Sequence, residues 1–226
     1  MTSPLRTYHH GDLRQALLDE GLARARSGGP AAVSLREITR AVGVSPNAAY
    51  RHFEGRDGLV HAVAGQAQLA LATAIAERVA ATAPELDPAA ASIEKLRRVG
   101  LAYIAFARAE PGWFATAFFT QDTQATDGVV TLDGDIVPPF ELLMKVLDEM
   151  VATGALAPAR RPLAEFACWS TVHGFSDIAV NGPVRWQPEP VIDALAASVV
   201  ESIIAGVRGT ADVPGPAPAP RVVSPA

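Results

Sequence analysis

The chain is predicted to be all-α: an N-terminal three-helix helix-turn-helix domain followed by a larger C-terminal helical bundle, about nine helices in total. Three observations carry this. Residues 34–59 read as two short helices meeting at Val42-Gly43-Val44 and running into a third. From there to about residue 207, apolar residues recur at helical spacing and strand patterns are scarce. Clusters of proline and glycine divide the chain into helix-length segments.

Taken in order, Leu13, Leu17, Gly21 and Leu22 give a first helix that can pack across the next two. Ser34 is an N-cap candidate, with Glu37 three residues on to complete a capping box. Leu35, Ile38 and Val42 form one apolar face, and Gly43 supplies the left-handed residue that closes the helix. Ser45 caps the following helix, and Pro46 fits its first position. Ala49 and Phe53 share an inward face, which leaves Asn47, Tyr50, Arg51 and His52 outward. A long alanine-rich helix is expected from about Arg56 to Ala81, broken by Thr82–Pro88. A fifth helix follows through about Glu110, with Ile93, Leu96, Leu101, Ile104 and Ala105 on its apolar side. Pro111 starts a short aromatic helix, Gly112–Phe119, and Thr120–Asp135 reads as a polar loop. Helices near 137–153, 162–180 and 190–207 complete the set. The expected domains are residues 1–55, residues 56–208, and a disordered Pro/Ala-rich tail over 209–226.

A polar, donor-rich second helix after a tight turn is the arrangement that reads DNA. Helix-glycine-helix alone is a weak signal, but here caps, turn and outward side chains agree in register. Ser45, Asn47, Tyr50, Arg51 and His52 are expected to face the duplex, with Ser34, Arg36 and Arg56 at its flanks. Asn47 and Arg51 carry amide and guanidinium groups able to contact adenine and guanine bidentately. Tyr50, His52 and Arg56 are the expected phosphate contacts. The net charge of −5 looks wrong for such a protein until it is divided. Residues 1–56 hold eight Arg and no Lys against five carboxylates, a net of +3; the remainder has a net of −8. The basic end is where phosphate would be met, and the acidic end would help orient the encounter.

These same residues resemble the N-terminal domain of the TetR family of bacterial transcriptional regulators. The similarity is carried by Gly43-Val44-Ser45, by Ala49-Tyr50-Arg51-His52-Phe53, and by Arg56-Asp57-Gly58-Leu59. The opening Tyr8-His9-His10-Gly11-Asp12-Leu13-Arg14 is similar to the lead-in of one branch of that family, whose C-terminal domain carries a Trp-x-x-x-His-Gly pattern. This chain has Trp169, His173 and Gly174 in that spacing. Glu54 departs from the basic residue often seen there in the family. The resemblance implies an effector cavity in the bundle, a fourth helix that couples bundle to head, and a homodimer through the last two long helices. Ala164, Ala167, Ser170 and Gly174 in one, and Ala194, Ala197, Ser198 and Ala205 in the other, are small enough for such packing, though small-residue helices pack within monomers too.

Ten of the fourteen aromatic residues lie between Tyr103 and Phe175. On the residues alone a packed core is the better reading; with the resemblance, an apolar pocket is favoured. Its expected lining is Tyr103, Phe106, Trp113, Phe114, Phe118, Met144, Trp169 and His173. His173 lies one turn from Trp169 and reads as a ligand contact, a pH-sensitive group or, by default, a buried histidine bonded to backbone.

Other classes are disfavoured. There is no P-loop, dinucleotide fingerprint or HExxH, so no enzyme is expected. His9-His10 is an incomplete metal site, and Asp122, Asp127, Asp133 and Asp135 lack EF-hand spacing; no metal or cofactor is expected. The single Cys168 excludes an internal disulfide framework. No segment runs about 18 apolar residues without interruption and no basic-then-apolar leader opens the chain, so a soluble cytoplasmic protein without membrane contact is expected. The function expected is a ligand-responsive transcriptional regulator, most readily a repressor that binds double-stranded, palindromic operator DNA as a homodimer and is released by a small, mainly apolar effector. The alternatives are an activator or effector-independent regulator and, in another class, a helical-bundle enzyme or binding protein.

Overall fold

A computed structural model describes residues 10–118 and 138–209, with side chains from Leu13 onward. The expected loop at 120–135, the tail beyond Gly209 and the His9 arm lie outside the described residues. Among the described residues there are nine α-helices and no strand. They are α1 (His10–Gly28), α2 (Leu35–Val42), α3 (Pro46–Ala49), α4 (Gly55–Ala80), α5 (Pro88–Ala109), α6 (Pro111–Phe118), α7 (Pro139–Ala152), α8 (Ala164–Val180) and α9 (Glu189–Arg208).

The turn between α2 and α3 forms as its sequence requires. Gly43 sits at φ 80°, a left-handed conformation that costs a side-chain-bearing residue but not glycine. The N–H of Val44 then returns to the carbonyl of Thr39 at 2.9 Å and satisfies one of the orphan acceptors of the helix end. The capping box at the other end of α2 does not form. Ser34 is the N-cap residue in extended conformation, but its side chain makes no capping bond. Glu37 is drawn away by Arg24 of α1, whose Nη1 donates to it at 2.6 Å while its Nε donates to Glu20. A charge-assisted pair between helices has replaced a local cap. By contrast, α5 starts on a formed cap: Asp87 accepts from the N–H groups of Ala89 and Ala90, and Pro88 takes the first position, where no N–H is needed.

Two buried clusters organise the chain. The first joins Leu17, Leu18, Val33, Ile38, Ala49, Phe53, Leu59 and Val63 into the core of the head. The second fills the bundle, from Leu71 and Ile75 on α4 to Ile204 and Val207 on α9. Helix α4 contributes to both, so its first turns belong to the head and its later ones to the bundle. Trp113 of α6 also packs against both. Antiparallel ion pairs fix the register of the bundle: Lys95 of α5 with Glu149 of α7 at 2.6 Å, and on the other side Arg97 with Glu201 and Arg108 with Asp193 of α9.

Helices α4 and α9 are each long and apolar enough, by length and composition, to cross a membrane. Half of the apolar window of α4 is buried inside the protein, which accounts for its composition. Only 28% of that of α9 is buried, so this helix carries an apolar face that the described residues leave uncovered.

Candidate DNA-reading surface and effector cavity

The outward face of the helix-turn-helix is polar and cationic. Arg36 on α2, and Ser45, Asn47, Tyr50 and Arg51 around α3, are all exposed, Tyr50 at 59%. His52 and Ser34 are half-buried at its margins. The regular part of α3 is shorter than expected and ends at Ala49. Its winding continues as a turn, because Tyr50 keeps right-handed helical angles and the N–H of Phe53 still bonds to the Ala49 carbonyl at 3.0 Å. Ala49 and Phe53 are buried beneath, and Arg14 of α1 lies over the Phe53 ring at 5.3 Å. Arg40, exposed in the last turn of α2, adds a cation that the motif did not single out.

Arg56, one of the expected phosphate contacts, is exposed and also bonded within the head. Its Nε donates to the carbonyl of Val33 at 3.0 Å and its Nη2 to that of Pro30 at 2.6 Å. The guanidinium thereby satisfies acceptors in the α1–α2 connection and clamps the start of α4 to it, using two of its five N–H groups, with Nη1 3.6 Å from the Asp57 carboxylate.

In the bundle, a small apolar cleft lies among α4, α5, α7, α8 and α9. Helix α5 contributes Leu96, Val99, Gly100 and Tyr103; α8 contributes Cys168, Trp169 and Val172; α9 contributes Val200, Ile203 and Ile204. Pro139 and Leu143 of α7 and Ile75 of α4 complete the wall. Of the aromatic residues expected there, only Tyr103 and Trp169 line it. Phe106 is buried in the core on α5, and Met144 is half-buried on α7 outside the lining. Phe114, Phe118 and His173 form a second layer behind Tyr103, with ring centroids 5.9 Å from it for both phenylalanines and 6.1 Å for the histidine. Trp113 points elsewhere altogether: its indole N–H donates to the Leu22 carbonyl of α1 at 2.9 Å, and the Arg26 guanidinium lies 5.1 Å from its ring centre.

Ring density marks packed core as readily as cavity, which is why the aromatic residues are a poor guide to this wall. The aliphatic wall is legible in the sequence in one respect: Gly100 interrupts the apolar face of α5. A Cβ there would come within 3.0 Å of Val200 and 3.5 Å of Val172, so the glycine lets α9 and α8 approach α5 at the cavity floor.

The polar chemistry of the cavity is spare. Tyr103 is bonded through its hydroxyl to Nδ1 of His173 at 2.7 Å. Burial holds the phenol protonated by pushing its pKa well up. Burial also lowers the His173 pKa, opposed by the nearby Asp177 carboxylate, which favours the neutral imidazole. The Cys168 thiol is pushed up to about 11, first by burial and then by the Glu165 carboxylate, so it stays an unreactive thiol. Trp169 stacks on His173, with the two rings 12° from parallel.

The outer faces of α8 and α9 are apolar and, among the described residues, uncovered. Leu163, Phe166, Ala167, Ser170 and Ile178 are exposed along α8 and its N-cap, and Val191, Ala194, Leu195 and Ser198 along α9. A Cβ at Gly174 would meet nothing, so it too faces outward. Ala164 does not belong to this face, because it is buried against the core. Ala197 lies on the edge between Asp193 and Glu201, whose partners are arginines of α5.

Comparison with known proteins agrees with this division. Residues 17–63 match the family model of bacterial regulatory proteins, tetR family, and residues 96–203 match that of the tetracyclin repressor-like C-terminal domain. Among solved structures, a protein of unknown function from Rhodococcus sp. RHA1 is 23% identical with a TM-score of 0.71, over 91% of this chain and 100% of that one. A TetR family transcriptional regulator from Thermus thermophilus is 20% identical with a TM-score of 0.55, over 87% and 99%. A TetR variant from Acinetobacter baumannii, in complex with minocycline, is 18% identical with a TM-score of 0.55, over 86% and 97%. At these identities the likeness is one of fold. No curated protein matches the chain.

Proposed function

The chain belongs to the TetR family of bacterial regulatory proteins, a DNA-binding transcriptional regulator and not an enzyme, and from that premise we propose that it is a cytoplasmic repressor whose hold on its operator is released by a small apolar molecule. The observation that carries the reading is the pairing of an exposed donor surface in the head with an apolar cleft in the bundle, joined by α4 and α6. Asn47 and Arg51 read base edges; Ser34, Arg36, Ser45, Tyr50 and His52 meet phosphate or flank it. The uncovered faces of α8 and α9 bury against a second copy, which sets two heads about 34–36 Å apart on a palindromic site. A cleft among five helices, and the minocycline complex of a structural neighbour, support a small-molecule effector.

The linkage from cleft to head is continuous packing. Tyr103 lines the cleft and touches Phe114 and Phe118 on α6; the same helix carries Trp113 onto α1. A ligand that changes the seating of Tyr103 therefore bears on a helix that holds the head. It acts only if it binds the DNA-free conformation better than the DNA-bound one. The test is reciprocity. After selection of an operator from random DNA, any true effector must weaken operator binding by the same factor by which operator weakens effector binding. Equal ligand affinity with and without operator, measured by titration calorimetry, would reject the switch.

A further inference from the structure

We propose that Arg40 is a further phosphate contact of the head, and that Arg24 keeps it available by holding Glu37, the one carboxylate of α2, against α1. This rests on the head as the DNA-binding module, adds to Arg36 and its neighbours there, and depends on neither the effector nor the dimer.

Position comes first. In a helix-turn-helix the second helix lies in the major groove and the first crosses the sugar–phosphate backbone. Here α2 is the helix that crosses. Arg36 and Arg40 are four residues apart on it, so they rise from one face in successive turns, about 6 Å apart along the axis. Both are exposed. Arg40 extends by one turn the cationic row that Arg36 begins.

Availability comes next. Among the described residues most arginines are bonded within the protein: in the bundle Arg98, Arg108 and Arg161 meet carboxylates, and Arg160 and Arg208 meet carbonyls. Arg36, Arg40 and Arg51 in the head make no ion pair and no hydrogen bond. For Arg40 the local sequence favours the opposite. Glu37 lies three residues before it, a spacing at which opposite charges on a helix pair. Glu37 turns away instead. Its Oε2 accepts from Nη1 of Arg24 at 2.6 Å, while Nε of Arg24 donates to Glu20 at 2.7 Å. One guanidinium thus ties two carboxylates together on the α1 side. The Glu37 side chain is 52% exposed, so burial does not hold it there. Nor can it serve as a capping group, because the Ser34 N–H already donates to the Ala32 carbonyl at 3.0 Å. Once released, Glu37 has Arg40 as the partner that helix spacing offers. That pairing would cancel a phosphate-binding cation and set a carboxylate beside the DNA. A carboxylate in the first turn stabilises α2 but repels phosphate; the bond to Arg24 keeps the first effect and suppresses the second.

The test uses the full-length protein and a duplex of arbitrary sequence, since phosphate contacts act on all sequences alike. Affinity is measured against salt concentration, with thermal unfolding alongside. Arg40→Gln should reduce the salt slope by about 1 and weaken binding about three- to tenfold at about 0.1 M salt. Arg24→Gln should have an effect of similar size, but only while the carboxylate is present. Combined with Glu37→Gln it should bind as Glu37→Gln alone does, and combined with Arg40→Gln it should add little. Glu37→Gln alone, which leaves Arg24 in place, should bind at least as tightly as the wild type. A merely structural role for Arg24 would lower the unfolding temperature and leave the slope alone. An unchanged slope in Arg40→Gln overturns the contact. Equal losses from Arg24→Gln with and without Glu37→Gln would mean that Arg24 meets the DNA itself, and no loss in either would mean that Glu37 does not reach Arg40; both overturn the positioning role, as does weaker binding by Glu37→Gln. These failures leave wild-type binding intact. A wild-type protein that binds no duplex would instead end the DNA-binding reading of the head, and both assignments with it.

Discussion

Trp113 donates its indole N–H to the carbonyl of Leu22 at 2.9 Å and so fastens the first turn of α6 to the C-terminal half of α1. The approach is close enough to require glycine beside it: a Cβ on the preceding Gly112 would lie 2.2 Å from the Ala25 carbonyl oxygen and 2.4 Å from that of Arg26. Arg26 adds a bidentate pair to Glu110 at the end of α5, with Nε donating at 2.6 Å. Head and bundle thus meet at a second seam besides α4.

Trp113→Phe should cost about 1 kcal/mol through the lost hydrogen bond, a fall in Tm of about 2–4 °C for a chain of this size. The variant should keep its operator affinity when free of ligand and respond less to an effector, because the push from α6 reaches α1 through this residue. Thermal unfolding and an operator titration with and without effector check both halves. An unchanged Tm together with an unchanged response would remove Trp113 from the linkage.

In the head, Arg51→Ala should weaken specific binding by about 1–3 kcal/mol and relax the preference at one operator position. Arg36→Ala should weaken all sequences alike and reduce the salt slope of binding by about 1. Arg56→Ala separates the two kinds of effect. Its fork already serves the carbonyls of Pro30 and Val33, so the variant should lose thermal stability while keeping the salt slope. A reduced slope with unchanged stability would make Arg56 a phosphate contact.

The helix order of the described residues is legible in the sequence to within about two residues at most ends, because prolines open α3, α5, α6 and α7 and a glycine closes α2. The outward set Asn47, Tyr50 and Arg51 is legible too, since a short helix opened by Pro46 leaves few choices of face, although Ser45 ahead of it makes no capping bond. What does not show is competition between partners. Glu37 has the spacing of a capping box but prefers an arginine on another helix, and Arg56 has the look of a phosphate ligand but meets carbonyls brought near it only by folding. The cavity wall is hidden for the same reason. Its aliphatic residues come from five helices, and no local pattern marks which apolar side chains surround a space and which fill one.

The outward faces of α8 and α9 predict where assembly can be broken. Ala167→Glu or Leu195→Glu should convert a dimer to a monomer with secondary structure intact, as read by sedimentation velocity at micromolar protein. Both residues are exposed in the single chain, so the substitutions leave its core alone. Ala197→Glu is the control. It falls between Asp193 and Glu201, opposite Arg97 and Arg108, and should leave the assembly unchanged. A wild-type protein that sediments as a monomer and binds its operator one copy per site would end the dimer reading.

His173 predicts how stability depends on pH. Burial lowers its pKa in the folded chain below the ordinary 6.5, against a smaller opposing effect from Asp177. On acidification the unfolded chain therefore takes up this proton first. Where the unfolded state binds more protons, stability rises with pH, so this contribution is fully present above about pH 6.5 and is lost as pH falls below it. The carboxylates act lower. Burial raises the Glu94 pKa but hydrogen bonds from Arg97 and Arg98 outweigh it, and Arg97 likewise holds Glu201 down, so both sit below the ordinary 4.5 and lose their contribution only in more acid solution. The two windows can be separated by measuring Tm at about pH 7.5 and about pH 5.5, where only the histidine window is crossed. The wild-type protein should lose Tm between these points, and His173→Gln, which keeps a hydrogen-bonding group beside Tyr103 but cannot titrate, should lose less. Equal losses in the two proteins would mean that the His173 imidazole titrates alike folded and unfolded, and that its bond to Tyr103 does not depend on its staying neutral.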